Sequence, residues 1–296
     1  MMEYSTFTNE VVYRMQQLFG SGYSVHVQKL LQNNGIREDY LVISEKGVET
    51  AACMPLGLYY GLCTYQADVD MVIADMLKTY RKEKKHAVPE SEVLDWNSAK
   101  GRIMFRLIGT QANREFLQDV PHIDFCDLSQ VFYLMLEADG EGCRTVQVNN
   151  RLMEAWKVQE EDIRLCAERN MAERMPGKLA GLGEFQADAG GETAGDGKVR
   201  PFYVLTNSMK LYGAGCILYK GMLENVAERI GFGFYVIPSS VHEVIIIPAD
   251  ECSRKTAGEL KALLASVNGT ELSECEILSD SVYYYNRSEH HFATAA

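Results

Sequence analysis

Ser239, Ser240, His242 and Glu243 stand almost side by side, and their types are those of a hydrolytic constellation. A hydroxyl becomes a nucleophile when an imidazole takes its proton, and the imidazole needs a partner that fixes its tautomer. On an extended strand, successive side chains alternate, so His242 joins Ser240 on one face while Glu243 points away. These residues alone therefore do not complete a triad. The competing reading gives the two serines to a turn and His242 to a structural hydrogen bond on a sheet. Further partners would come from Thr206 and Asn207, which end an apolar run. Ligands meet α/β sheets at such strand ends, and asparagine also begins turns there.

His122, Asp124 and Asp127 follow Pro121 and, with His242 or Glu243, would offer nitrogen and oxygen ligands to a divalent ion. No HExxH helix or dense His/Asp cluster accompanies them, and His26, His86, His290 and His291 stand apart. A simpler account makes Pro121 a helix entry and lets Asp127 cap or pack beside the strand that follows. Neither a metal nor a cofactor is expected. Gly213-Ala214-Gly215 lies between a strand and a helix, where a phosphate would meet a helix N-terminus. The Walker lysine and the full dinucleotide glycine spacing are both missing, and a tight turn explains the glycines equally well. Tyr283, Tyr284 and Tyr285 form either a recognition patch or a strand whose alternation buries at least one ring.

The elements that position these residues follow from pattern and punctuation. Phe7, Val11, Val12, Met15, Leu18 and Phe19 recur at helical spacing, with Ser5 or Thr6 as N-cap and Gly20 beyond. Strand-like runs at 24–31 and 40–44 flank Asn33-Asn34-Gly35, a strong hairpin signal. Residues 51–65 read equally as a short helix or a packed loop. A helix starts at Asp68 and ends in the basic run before Pro89, and a strand spans 101–109 with a short helix after it. Asp139-Gly140-Glu141-Gly142 separates two β-rich runs at 131–137 and 144–148. A helix broken near Lys157-Val158 covers 149–174, with Glu160, Glu161 and Asp162 in a first turn that favours acids. Phe202–Thr206, Phe234–Ile237 and Val241–Ile247 read as strands, with a helix ending at Gly231 between the first two. If those two share a sheet they form a parallel crossover, and the latter two form a hairpin. A helix at 257–267 and a last edge strand at 281–286 complete the chain.

This is an α+β pattern: a mixed β-sheet with packed helices and a C-terminal β-α-β-β-α unit. Residues 186–198 are glycine-rich without a large apolar side chain, and cannot repay their ordering entropy. They divide the chain into 1–185 and 201–296, with 186–200 as a linker between domains or a long loop within one.

Hydrophobic residues make up 47% and charged residues 24% of the chain, an ordinary balance for a packed core. The net charge of −12 repels phosphate backbones and anionic membranes, so neither nucleic acid nor membrane is an expected partner. The basic run at 81–86 has no interleaved aromatic and suits the solvated C-terminal end of a helix. The cysteines lack the paired spacing of a zinc knuckle or redox site and suit a reducing cytoplasm. No signal peptide or membrane-length apolar run is read, so a cytoplasmic location is expected.

Val120-Pro121-His122 with Asp127-Leu128, Tyr203-Val204-Leu205-Thr206-Asn207 with Gly213-Ala214, Pro238-Ser239-Ser240-Val241-His242-Glu243-Val244, and Leu278-Ser279-Asp280 with Tyr283 together resemble an uncharacterised family of cytoplasmic bacterial proteins known only as a domain of unknown function. The likeness covers most of the chain and departs from the family pattern at 54–65. It implies one shared architecture and supplies no mechanism. Two functions are therefore carried forward. The first is a binding or regulatory module for a protein or small molecule. The second is a hydrolase or transferase centred on His242, Glu243 and Ser240, with Asn207 and His122 nearby.

Overall fold

The computed structural model describes residues 2–46, 51–63, 68–85, 89–139, 142–181, 202–249, 257–270 and 272–295. The chain divides into two compact units, Met1–Val93 and Leu94–Ala296. The glycine-rich stretch at 186–198 lies outside the described residues, but the strands on either side of it are paired in one sheet.

In the first unit, α1 (Tyr4–Phe19) buries Phe7, Val11 and Met15 and stops at Gly20, whose φ of 72° only glycine adopts readily. The helix starts earlier than its serine and threonine suggest: Glu3 is the N-cap, while Ser5 and Thr6 lie inside. Strands β1 (Tyr23–Leu31) and β2 (Arg37–Glu45) form the hairpin around Asn34 and Gly35, both at positive φ. The open stretch at 51–65 resolves into β3 (Ala51–Pro55), paired with β2, and α2 (Leu56–Gly61). Helix α3 (Asp68–Lys85) closes the core with Val69, Val72, Ile73 and Met76. Arg81, Lys82 and Lys84 near its end are exposed, and Lys84 pairs with Glu45 at 2.8 Å.

The second unit holds two sheets. In the first, β4 (Ile103–Gly109), β5 (His122–Phe125) and β7 (Gly142–Gln147) pair around the long β6 (Leu128–Asp139). The chain after Pro121 is thus a strand rather than a helix entry, and Cys126-Asp127 is its hairpin turn, with Cys126 at φ 56°. Helix α4 (Asn150–Trp156) ends at Lys157 in the left-handed region, and α5 (Glu160–Arg174) begins with a Gln159/Asp162 capping box. The break expected near Lys157-Val158 is therefore present, and the acids at 160–162 occupy the first turn.

The other sheet runs β13-β12-β10-β11-β9-β8, with β8 at Gly177–Gly181, β9 at Tyr203–Asn207, β10 at Phe234–Ile237, β11 at Val244–Pro248, β12 at Tyr283–Asn286 and β13 at His291–Thr294. Helix α6 (Met222–Ile230) connects β9 to β10, and α7 (Ala257–Thr270) follows β11, which gives the β-α-β-β-α unit. Both β9 and β10 are antiparallel to β11, which lies between them, so they run parallel to each other without touching. Every pairing among the described residues is antiparallel. The segment read as a last edge strand is not at the edge, because the polar tail adds β13 beyond it.

Alternation divides this sheet into two apolar faces. Phe234, Val236, Val244, Ile246, Tyr283 and Tyr285 pack with Val226 and Ala227 of α6 and with Leu107 and Leu128 of the four-stranded sheet. Ile237 and Ile247 pack on the opposite face with Leu260 and Leu264 of α7.

Candidate functional site

The strand β11 begins at Val244, two residues later than His242, and this changes the reading of the Ser-His-Glu segment. Residues 238–243 form a loop, so strand alternation does not decide which of their side chains meet. The Ser240 amide donates to the Glu243 carbonyl at 3.2 Å, closing a turn. The Ser240 hydroxyl donates to Glu243 Oε1 at 3.1 Å and accepts the His242 amide at 2.9 Å. Ser239 Oγ donates to the Glu243 carbonyl at 3.2 Å. Both serines are buried, and Glu243 is half-buried.

His242 is fastened to the loop that leaves β9. Its carbonyl accepts from Thr206 Oγ1 at 2.8 Å, and its Nδ1 accepts the Tyr212 amide at 3.2 Å. The imidazole stacks on the Tyr212 ring, 5.5 Å between centroids and 11° between planes. An Nδ1 that accepts from a backbone N–H carries the lone pair, so the ring proton sits on Nε2.

Asn207 is fully buried and brackets the same loop. Its Oδ1 accepts the amides of Met209 and Leu211 at 3.1 and 3.2 Å, and its Nδ2 donates to the Leu211 carbonyl at 2.7 Å. This Asx-type bracket holds Lys210 and Tyr212 in left-handed conformations, φ 52° and 51°. Gly213 follows because nothing larger fits: a Cβ there would overlap Thr206 Oγ1 and stand 2.5 Å from the His242 carbonyl oxygen. Gly213–Leu218 is a 3-10 turn rather than the start of an α-helix, and its glycines serve close packing.

Thr206, Asn207, Ser239, Ser240, His242 and Glu243 are thus brought into one cluster, while His122 and Asp127 are placed elsewhere. His122, on β5, donates from Nδ1 to the Val120 carbonyl at 3.0 Å and makes no hydrogen bond to the cluster. Asp124 accepts from Ser129 Oγ at 2.8 Å. Asp127 accepts from Ser279 Oγ at 2.8 Å and from the Tyr283 hydroxyl at 2.6 Å, tying the β5–β6 turn to β12. Burial, and then the Asp127 carboxylate, push the Tyr283 hydroxyl upward in pKa. Tyr283 and Tyr285 are both buried, and Tyr284 is half-buried between them. Among the described residues, no group of three or more His, Cys, Asp or Glu is arranged to hold a metal ion.

Beside the cluster lies a set of residues that pattern reading passed over. The Arg106 guanidinium lies 5.1 Å from the Tyr212 ring centroid, and its Nη1 donates to the Tyr212 hydroxyl at 3.3 Å. Tyr133 meets Tyr212 edge to face at 5.4 Å. Arg106 Nε and the Tyr133 hydroxyl are buried, and among the described residues neither has a hydrogen-bond partner. One signal was available in the sequence: Arg106 is a charge inside the apolar run Ile103–Ile108. Nothing local distinguishes Tyr133 from its apolar neighbours.

The fold and this cluster define an α+β protein whose most reactive-looking side chains are bound into loop structure. The chain belongs to the family of unknown function DUF5688, which matches residues 4–287. No curated protein and no solved structure matches it.

Proposed function

We propose that this protein is a cytoplasmic binding or regulatory module for a small molecule or a protein, without a catalytic centre at His242. The observation that carries this reading is the His242 ring. Its Nδ1 lone pair is engaged by the Tyr212 amide, and its other nitrogen carries the proton, so no basic nitrogen is left to activate a hydroxyl. Neither Ser239 nor Ser240 bonds to the ring, and both hydroxyls point to Glu243. Among the described residues, Cys126, Cys143, Cys166 and Cys216 are free thiols, which suits a reducing compartment. Among the described residues, no helix is long and apolar enough to cross a membrane.

The second reading, a hydrolase or transferase at His242, Glu243 and Ser240, rests on the contact between Ser240 and Glu243 Oε1, a hydroxyl beside a carboxylate. One experiment separates the two. Purified protein is screened by thermal shift against metabolites, nucleotides and metals, and its turnover of chromogenic ester and phosphoester substrates is measured in parallel. A ligand-dependent rise in Tm with no turnover is expected. Turnover that disappears in both Ser240→Ala and His242→Gln would overturn the binding-module reading.

A further inference from the structure

Buried polar groups in folded proteins almost always find a partner, and each one that does not calls for a specific explanation such as an ion or ligand. Two occur together around Tyr212. Tyr133 is 2% exposed, and among the described residues its hydroxyl meets no donor or acceptor. Arg106 spends Nη1 on the Tyr212 hydroxyl and, among the described residues, leaves the opposite edge of the guanidinium, Nε with Nη2, without a hydrogen bond; Nε is sealed from solvent. That edge presents two parallel N–H donors in the fork that matches two oxygens of one anion. Among the described residues no carboxylate pairs with Arg106, whose contacts are the hydroxyl and the ring face of Tyr212.

Two arginines lie near the Tyr133 hydroxyl. The charges acting on the Tyr133 hydroxyl include Arg106 and also Arg174, whose Nη1 donates to the Gly101 carbonyl at 3.2 Å. Burial raises the Tyr133 pKa, so the hydroxyl stays protonated and can donate. Arg106, Tyr212 and His242 are all half-buried, so this group of side chains is not wholly closed off from solvent. Tyr212 is the shared wall: His242 stacks on it, Tyr133 meets it edge to face, and Asn207 fixes the loop that carries it.

We propose that the Nε–Nη2 edge of Arg106 and the hydroxyl of Tyr133, walled by Tyr212, bind the oxyanion of a small ligand, a carboxylate or a phosphate. The proposal rests on the reading of the chain as a binding module and specifies its ligand class.

The test is an NMR titration of the full chain that follows the arginine Nε–H resonances, assigned to Arg106 by loss of one signal in Arg106→Lys. Sodium acetate and inorganic phosphate are the two probes, and sodium chloride at matched ionic strength is the control. A saturable downfield shift of the Arg106 signal with acetate alone identifies a carboxylate site, and with phosphate alone or more tightly, a phosphate site. Tyr133→Phe removes one hydrogen bond to a charged group and is expected to weaken the preferred anion about 10–100-fold. If Arg106→Lys does not fold, the signal is assigned by through-bond correlation and Tyr133→Phe carries the test. No saturable shift from either anion, or the same shift from chloride, overturns the site. Equal affinity in Tyr133→Phe overturns the role given to that hydroxyl and with it the two-donor site. A thermal-shift response to other ligands with a silent Arg106 signal would sink this site and leave the binding module standing. Turnover that depends on His242 would sink that reading whatever Arg106 does.

Discussion

Gly213→Ala is the sharpest perturbation of the loop junction. The added Cβ would overlap Thr206 Oγ1 and lie 2.5 Å from the His242 carbonyl oxygen and 2.8 Å from the Asn207 amide nitrogen. The glycine is needed for space here. Two of the obstacles are backbone atoms, held close to the Leu205–Val244 pairing of β9 and β11, so they cannot rotate away. Thr206 can turn aside only by giving up its 2.8 Å bond to the His242 carbonyl. Overpacking costs about 1–3 kcal/mol and the lost hydrogen bond about 1 kcal/mol more, for a total of about 2–4 kcal/mol. In a unit of this size each kcal/mol lowers Tm by about 2–4 °C, so a fall of about 4–16 °C is expected. Gly177→Ala is the matched control, because its Cβ meets the terminal Cε of Met222, which can swing aside. It should cost less than about 1 kcal/mol. Both tryptophans, Trp96 and Trp156, lie in the second unit and contact each other at 5.6 Å, so tryptophan fluorescence reports the unfolding of that unit. A Gly213→Ala variant within about 0.5 kcal/mol of the parent, or a Gly177→Ala variant that falls as far, would refute the steric account.

Replacing His242 by alanine removes the acceptor of the Tyr212 amide and the ring stack, and should lower the urea midpoint by the equivalent of about 1–3 kcal/mol with little change in m-value. Asp127→Ala leaves the buried Tyr283 hydroxyl and Ser279 Oγ without their acceptor and should cost about 2 kcal/mol or more by the same measurement. Asn170→Ala deletes an Nδ2 that donates to the carbonyls of Lys100 and Ile103 at 2.8 and 2.9 Å, and a loss of about 2–4 kcal/mol is expected in fluorescence-monitored unfolding. Burial pushes the Cys216 thiol from 9.0 up to about 12, and burial also raises Tyr133, Tyr219 and Tyr283. The folded values lie above the unfolded ones, so the contribution is complete below about pH 9 and is lost as pH rises toward the folded values. The urea midpoint should therefore fall progressively above about pH 9, and Cys216→Ala should soften the start of that fall.

The sequence by itself determined the elements whose causes are local. The apolar spacing of Phe7, Val11 and Met15 and the glycine at 20 define α1. Asn34-Gly35 makes the first hairpin because both residues accept positive φ, and Gln159 with Asp162 restarts the helix after Lys157. Alternation buries at least one ring of the tyrosine run, and the strand buries two, Tyr283 and Tyr285. Tertiary structure decided what depends on residues far apart in the chain. His242 lies in a loop because Thr206 and the Tyr212 amide, thirty or more residues upstream, claim its carbonyl and its ring nitrogen. The tail forms β13 because Tyr283–Asn286 offers a hydrogen-bonding edge that only the assembled sheet exposes. Arg106, Tyr133 and Tyr212 meet because two sheets pack together, and no periodicity within any one strand encodes a contact across 106 positions of sequence.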